Sequence, residues 1–447
     1  MAQLSKQGMP LDFLQREHYL SPRRVYSQTG SDWQRRVDFD RMRRDRLDRA
    51  KAMMEKHNLD AVIMFKGENI RYTCSVFQGN WKNNIFIRYA VLCRGAKTPV
   101  LFETAGSDLE CARIDAPWLE GNIRPAITWK WSETAEQMMV NRMTDSVIDV
   151  LKEQKIDYKK GRIGIDIMDI QAYNAFTEKG VNLVNAWPAM SEARVIKTPE
   201  EIECLKISST IGDTCMWMIR NEWLKPGVRE CDITAAVNDL LYKEGFDFVY
   251  DIIVASGGNT SPYRRWHTDK MVRAGDLMIV DINAIGPGGY FVDYVRCFKC
   301  AGEWTKREKA LYREVYDSMY AGMAELKPGK TTKDVASKFP VYADDKYGTV
   351  TLQQFAHSIG LDLYEGMWIS RAYSLDYPVE IKENMYFAIE TFAGHPGLPQ
   401  TVRLEENVLV GPDGPIVFTG MEHYDECIKD SPYYDFSNKS RGEARNE

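Results

Sequence analysis

The pattern that most constrains this fold is a pair of strand-like apolar runs that carry acidic residues on either side of a tight turn. The first pair of runs flanks residues 286–289 and carries Asp281 and Asp293, each six positions from Pro287. Glycine and proline between two apolar runs are a strong signal for an antiparallel hairpin. In a simple register, Asp281 and Asp293 would face each other across the ladder.

A second segment repeats this arrangement, with Glu390 and Glu405 nearly symmetric about a turn at residues 394–399. Like charges directly opposite on a sheet face are destabilising, because their Cβ atoms lie only about 5 Å apart. A bound divalent cation is the simplest compensation, since it converts the repulsion into coordination. His357, between the two hairpins, is a candidate nitrogen ligand. The alternative is that the acids lie on solvated faces and that His357 is a core residue.

A near-repeat accompanies the two hairpins. The tripeptide Lys-Pro-Gly occurs at residues 225–227 and again at 327–329, each time between helix-like stretches and ahead of one hairpin. A repeat of this kind indicates architecture. Two copies of one unit that face each other would bring two carboxylates from each copy to a shared centre. We expect the two hairpins to lie in one curved antiparallel sheet backed by helices.

Length and composition limit the possibilities further. A chain of 447 residues is too long for one ordinary core, so we expect two domains joined near residues 186–199. The predicted divisions are an N-terminal arm over 1–36, a smaller α/β domain over 37–190, a larger catalytic domain over 191–432 and a flexible tail over 433–447. The net charge of −6 gives no support for nucleic-acid binding. The lack of a long apolar run predicts no membrane segment, and nine scattered cysteines favour the reducing cytoplasm.

The two hairpins resemble the pita-bread fold of methionine aminopeptidase, prolidase, aminopeptidase P and creatinase. In that family the metal ligands are Asp, Asp, His, Glu and Glu in this chain order, which correspond here to Asp281, Asp293, His357, Glu390 and Glu405. Residues 194–201 are similar to the opening of the family's catalytic domain. Physically they predict a helix start, with Thr198 as N-cap, Pro199 at the first helical position and Glu201 completing a capping box.

The resemblance implies an α+β protein, in which a C-terminal pita-bread domain with a pseudo-twofold repeat follows a smaller α/β creatinase-type domain. Residues 69–72 are similar to a phrase of that N-terminal domain. The family also implies a homodimer that acts on a small-molecule substrate. Four carboxylates and one imidazole suit one or two divalent transition-metal ions, namely Fe²⁺, Mn²⁺, Co²⁺ or Zn²⁺.

Two departures from the peptidases of the family bear on the substrate. These peptidases use two further histidines; His267 resembles the first, but Tyr364 stands where the second would fall. A tyrosine can donate a hydrogen bond but cannot become a cation near neutral pH. The stretch Asp281-Ile-Asn283 resembles the Asp-x-Asp form of the dimethylsulfoniopropionate (DMSP) lyase branch. Asn283 would then be an additional, neutral metal ligand.

The resemblance to the lyase branch extends to residues 42–47 and 346–348 and to an acidic residue after the histidine. It suggests roles for residues around the metals. Asp362 is the candidate base, and Tyr364 and His267 are candidate hydrogen-bond donors to developing charge. Candidates for substrate binding, including aromatic faces for a sulfonium or quaternary ammonium group, are Trp266, Trp368 and Tyr347. Plain core packing is the alternative for each aromatic residue.

Three functions therefore remain open from the sequence. The first is a metal-dependent enzyme that cleaves a small, charged, non-peptide substrate by DMSP-lyase-like elimination or creatinase-like hydrolysis. The second is an Xaa-Pro aminopeptidase or dipeptidase. The third is a binding module that keeps the fold without catalysis. The intact metal set argues against the third function, and Tyr364 argues against the second.

Overall fold

The structure is a computed structural model that describes residues 36–77, 84–130, 133–341, 353–393 and 398–436. Its chain divides into two compact units at the bond between Arg194 and Val195. Much of the predicted N-terminal arm and tail, the substrate candidate Tyr347 and the turn at 394–397 lie outside the described residues.

The first unit is built on a six-stranded mixed sheet with the strand order β4-β3-β2-β1-β5-β6. Strands β1–β2 and β2–β3 pair antiparallel, and the other neighbours pair parallel. The strands are β1 Ala61–Met64, β2 Tyr89–Cys93, β3 Val100–Glu103, β4 Ile123–Pro125, β5 Ile163–Ile165 and β6 Leu183–Asn185. The helices are α1 Phe39–Lys56, α2 Gly67–Cys74, α3 Ser107–Asp115, α4 Glu136–Glu153 and α5 Ile170–Glu178, with α6 Trp187–Val195 at the junction.

The second unit contains two antiparallel sheets, one for each predicted hairpin. A three-stranded sheet has the order β7-β8-β9, and a five-stranded sheet has the order β11-β10-β12-β13-β14. The strands are β7 Phe248–Ser256, β8 Leu277–Ile285, β9 Phe291–Lys299, β10 Gln354–Ser358, β11 Trp368–Ser370, β12 Tyr386–Ala393, β13 Val402–Val410 and β14 Pro415–Val417. The helices are α7 Pro199–Met218, α8 Glu230–Lys243, α9 Lys306–Met323, α10 Thr332–Ala336 and α11 Asp425–Ile428.

Strand β8 is buried on both faces, which explains its nearly continuous apolar sequence. Leu277 and Ile279 pack into one core cluster, while Met278 and Val280 pack into another. Because side chains alternate along a strand, Asp281 continues the face of Leu277 and Ile279. An acidic residue is thereby directed toward the core that the second hairpin also shares.

The helix start and the near-repeat follow the sequence prediction. Helix α7 begins with Pro199 behind the N-cap Thr198, and the side chain of Glu201 completes the capping box. The two Lys-Pro-Gly tripeptides both lie between helices. Their glycines, Gly227 and Gly329, have φ values of +97° and +84°, a conformation that glycine adopts at little cost.

Two details differ from the expectation. The ladder pairs Asp293 with Asn283, and Asp281 with Val295, because the turn is centred on Gly288 and not on Pro287. The prediction that Asp281 directly faces Asp293 was therefore wrong. The two hairpins also lie in separate sheets, whereas one curved sheet was expected.

Among the helices that the structure describes, none combines the length and apolar character needed to cross a lipid bilayer.

We expect Thr198→Ala to lower the free energy of unfolding by about 1 kcal/mol, the usual cost of losing an N-cap side chain. Thr198 accepts a hydrogen bond from the backbone N–H of Glu201 through its hydroxyl, and the alanine variant cannot. The measurement is urea denaturation followed by circular dichroism. Thr210→Ala on the exposed side of the same helix is the control, and equal losses in both variants would contradict the prediction.

Candidate metal centre

The six predicted metal ligands are all buried in the second unit, each with no more than 6% of its surface exposed. They come from five strands: Asp281 and Asn283 from β8, Asp293 from β9, His357 from β10, Glu390 from β12 and Glu405 from β13. Burial of this many ionisable groups is costly unless they are paired or coordinate a metal.

Three of these residues form the tightest group. His357 Nε2 lies 3.2 Å from Asp293 Oδ2, and the ligand atoms of Asp293, His357 and Glu405 all lie within 4.8 Å of one another. Among the described residues, no group donates a hydrogen bond to either carboxylate oxygen of Glu405. Burial, followed by the negative charges of Asp293 and Asp281, raises the pKa of Glu405 well above its usual range. Within the described part of the chain, Glu405 is therefore a buried hydrogen-bond acceptor without a donor.

Glu390 faces Glu405 directly across the β12–β13 ladder, as the hairpin pattern predicts. Its carboxylate forms an ion pair with Arg403 and accepts a hydrogen bond from Gln354 Nε2. Arg403 stands two residues before Glu405 on β13, so both side chains leave the same face of the strand. Of the four buried carboxylates, Glu390 is thus the one that forms an ion pair with an arginine, Arg403.

Asp281 is held by neutral partners. Asn283 Nδ2 donates to Asp281 Oδ1 at 2.5 Å, and the hydroxyl of Tyr263 donates to Asp281 Oδ2 at 3.2 Å. Burial and the neighbouring charge of Asp293 nevertheless raise the pKa of Asp281 from 3.8 to about 7. The Tyr263 ring also stacks under a cation, since Arg403 Cζ lies 5.0 Å from its centroid.

The donor set fits a divalent cation. Asp293, Glu405 and His357 offer oxygen and imidazole atoms, the ligands preferred by Mn²⁺, Fe²⁺, Co²⁺ and Zn²⁺. Neither oxygen of Glu405 accepts a hydrogen bond from the described residues, and the pKa values of Glu405 and Asp281 are both raised. Both observations fit a site that surrounds a positive ion. Asp281 and Glu390 adjoin this set but already have partners.

Aromatic rings border the cluster on one side. Trp368 is the β11 ladder partner of His357, and the Tyr364 ring lies 4.7 Å from the His357 ring and 5.1 Å from Trp368. Both Tyr364 and Trp368 are 37% exposed, so they form part of a solvent-accessible wall. Burial and the charge of Asp293 raise the pKa of Tyr364 to about 12, while the nearby Arg265 guanidinium offsets part of the rise. Tyr364 therefore remains a hydrogen-bond donor at neutral pH.

A loop of residues 257–269 carries Tyr263, Trp266 and His267. Trp266 and His267 are exposed, and the structure places neither in the close group around His357. The buried carboxylate of Glu230 accepts hydrogen bonds from Ser256, Asn259 and Thr268 at the two ends of this loop. One side chain thus fixes the loop that brings Tyr263 to Asp281.

Asp362, the candidate base, is buried in the turn that leads to Tyr364. This turn is fastened by Glu365, whose Oε1 accepts from the backbone N–H of Asp362 and whose Oε2 pairs with Lys197 Nζ at 2.5 Å. Gly360 is required here, because a Cβ atom would overlap the Glu365 carboxylate and lie 2.7 Å from Lys197 Nζ.

Sequence reasoning did not single out Tyr263, Arg403, Arg265 or Gln354. Arg403 could have been found, because its two-residue spacing from Glu405 places both on one strand face. Tyr263 and Arg265 reach the site through a loop whose path depends on contacts with Glu230, and no local pattern encodes that path.

The two units of the chain match two known protein families. Residues 203–412 match metallopeptidase family M24, and residues 46–196 match the creatinase/prolidase N-terminal domain. The chain therefore carries a creatinase/prolidase N-terminal domain followed by an M24 domain, which has the pita-bread fold. The predicted family, fold class and use of divalent metals are confirmed.

Individual relatives are distant. The Xaa-Pro dipeptidase of Pyrococcus furiosus is 29% identical over 50% of this chain and 63% of its own length, which is less than two thirds of that protein. An uncharacterized peptidase of Methanocaldococcus jannaschii is 26% identical over 83% of this chain and 94% of its own length. The dimethylsulfoniopropionate lyase of Roseovarius nubinhibens is 23% identical over 57% of this chain and 58% of its own.

Solved structures show the same fold. The Xaa-Pro dipeptidase from Bacillus anthracis superimposes with a TM-score of 0.68 at 21% sequence identity, and it covers 85% of this chain and 98% of its own. At this identity the similarity establishes the architecture alone.

We expect Glu405→Gln to stabilise the metal-free protein at alkaline pH. A carboxyl group whose pKa is raised by folding stabilises the fold only while it is protonated, so stability falls as the pH rises from about 4 through the folded pKa. Asp281, whose carboxyl group belongs to the same cluster, has a folded pKa of about 7, so the loss of stability is present at pH 8. The variant removes one charge of the cluster and should melt at least about 2 °C higher than the wild type at pH 8.

Thermal unfolding of chelator-treated protein at pH 5 and pH 8 measures this effect. Added Mn²⁺ or Zn²⁺ should reverse the order, because ion binding stabilises the wild type more than the variant. Glu380→Gln, at an exposed ion pair with Lys382, is the control. A Glu405→Gln variant that melts lower than the wild type at pH 8 without metal would refute the charge-repulsion argument.

Proposed function

We propose that this protein is a metal-dependent hydrolase that cleaves small peptides with proline after the scissile bond. The observation that carries the proposal is the buried group of Asp293, His357 and Glu405 with its uncompensated carboxylate, set in an M24 metallopeptidase domain. Relatives named Xaa-Pro dipeptidase support the choice of substrate over the DMSP-lyase-like or creatinase-like function.

The cation would be held by Asp293, His357 and Glu405, with Asp281 and Glu390 completing its surroundings. The chemistry that a divalent ion supplies in such a site is Lewis-acid polarisation of a substrate carbonyl or carboxylate. Arg403 and Asn283 hold Glu390 and Asp281 in fixed positions beside these three ligands, through an ion pair and a hydrogen bond.

The chain's own groups would orient the substrate and stabilise charge. Tyr364 presents a protonated hydroxyl beside His357, where it can donate to an oxygen that becomes negative during cleavage. Arg265, an exposed cation near Tyr364, suits the carboxylate of a dipeptide. Asp362 is retained as the proposed base, and Trp368 and Trp266 as proposed contacts for the side chain of the substrate.

A second candidate is cleavage of a small zwitterion, as in a DMSP-lyase-like or creatinase-like enzyme. The observation in its favour is that Tyr364 stands against His357, where the peptidases of the family place a histidine. Aromatic faces at Tyr364 and Trp368 would accommodate a sulfonium or quaternary ammonium group. A distant DMSP lyase among the relatives is consistent with this alternative.

We further propose a homodimer in the cytoplasm. The dimer rests on the family resemblance, and the location on nine cysteines that are all free thiols.

Turnover measurements on the purified full-length protein decide between the functions. Chelator-treated protein reloaded with Mn²⁺, Co²⁺, Fe²⁺ or Zn²⁺ is offered Ala-Pro, Met-Pro, Ala-Ala, DMSP and creatine. We expect metal-dependent release of proline from the Xaa-Pro dipeptides and not from Ala-Ala, with Glu405→Gln inactive and the surface control Glu380→Gln fully active. Metal-dependent turnover of DMSP or creatine alone would replace the first proposal by the second. No turnover of any substrate by metal-loaded protein would favour the non-catalytic binding module.

Tyr364→Phe tests the proposed donor. The variant keeps the ring contacts with His357 and Trp368 but loses the hydroxyl, so kcat should fall about 100-fold while the metal content stays unchanged. Tyr373→Phe, at another exposed tyrosine of the same unit, is the matched control. An unchanged kcat for Tyr364→Phe would show that this hydroxyl takes no part in the reaction.

A further inference from the structure

The two sheets of the second unit meet at β9 and β13, which belong to different sheets. At this junction the side-chain amide of Asn407 forms the backbone hydrogen bonds that a neighbouring strand would otherwise form. Asn407 Oδ1 accepts from the backbone N–H of Asp293 at 3.3 Å, and Asn407 Nδ2 donates to the backbone oxygen of Asp293. Strand β9 is an edge strand, and these two hydrogen bonds satisfy the backbone N–H and C=O of Asp293 that face away from β8. Asp293 also supplies one of the proposed metal-ligand carboxylates.

A second bridge runs in the opposite direction. Arg296 of β9 donates through Nη1 to the backbone oxygen of Glu405 on β13 at 2.7 Å. Its Nη2 contacts both carboxylate oxygens of Glu406 at 2.8 Å, and Arg296 is 1% exposed. Each hairpin therefore sends one side chain to the backbone of the other hairpin's metal-ligand residue.

The Arg296 bridge is itself held by a buried network on the face of β13 opposite Glu405. Glu406 accepts hydrogen bonds from Tyr320 at 3.0 Å and from Thr419, and it lies 3.0 Å from His423 Nε2. The backbone oxygen of Met421 accepts from Arg296 Nε at 3.2 Å. A guanidinium with so many fixed acceptors has little freedom to move, so the position of the Glu405 backbone is well determined.

We propose that Arg296 and Asn407 are positioning residues that set the distance between Asp293 and Glu405. The two carboxylates repel each other, and the bridges act on the backbone of both residues without touching the carboxylates. The bridges hold the pair at the spacing that a cation requires before the cation arrives. Without them the carboxylates relax apart, and binding must then include the cost of bringing them together. This inference rests on the proposed metal centre.

The test is a competition titration of metal-free protein with Zn²⁺ and with Mn²⁺ against a chromophoric chelator. We expect Asn407→Ala and Arg296→Lys each to weaken binding by about 10- to 100-fold, the range found for groups that orient metal ligands. The affinity ratio between the two ions should also change, because they differ in preferred size and geometry. A substitution that only loosens the fold would lower both affinities alike and leave the ratio as it was.

Asn238→Ala is the matched control, because Asn238 also donates its side-chain amide to a backbone oxygen, that of Thr234 on α8 at 2.8 Å. If Asn407→Ala does not fold, Asn407→Ser replaces it, since a hydroxyl can donate to Asp293 without spanning both of its backbone groups. Wild-type protein that binds neither ion would overturn the metal centre itself. Wild-type binding with variants that match its affinities within twofold and keep its ion ratio would overturn the positioning role alone.

Discussion

Mutual repulsion among buried carboxylates is the interaction on which the second unit depends. Asp281, Asp293, Glu390 and Glu405 come from four strands, and each is less than 5% exposed. Only one fixed cation, Arg403, pairs with a member of this set among the described residues. Folding must hold the remaining carboxylates together, so the surrounding backbone has to be rigid, and either protons or a bound cation must offset their charges.

That rigidity comes from polar side chains around the cluster that form hydrogen bonds with the backbone. Glu230 closes the loop that carries Tyr263, Glu365 with Lys197 fastens the turn that carries Tyr364, and Arg296 with Asn407 joins the hairpins. These groups are buried and mutually satisfied, and satisfied networks of this kind specify one arrangement. The metal ligands themselves sit on strands, which position side chains more precisely than loops do.

The sequence was informative wherever local rules govern the structure. Alternation along strands and a Gly-Pro turn predicted both hairpins, and the capping pattern at Thr198 predicted the start of α7. The pairing of Asp293 depended on the centre of the turn: a shift from Pro287 to Gly288 moves the partner by two residues, from Asp281 to Asn283. Contacts between distant segments, such as Lys197 with Glu365 across 168 positions, are not encoded in any local pattern.

The carboxylates of the cluster also differ in the partners that they already have. Both oxygens of Asp281 accept hydrogen bonds, from Asn283 and Tyr263, and Glu390 is held by Arg403 and Gln354. A second ion would have to displace these donors, including a guanidinium, whereas the oxygens of Glu405 accept no hydrogen bond from the described residues. We therefore infer that the first ion binds at Asp293, His357 and Glu405. Tyr364 keeps its hydroxyl protonated beside His357, so in the proposed reaction it would donate a hydrogen bond to a developing negative charge on the substrate.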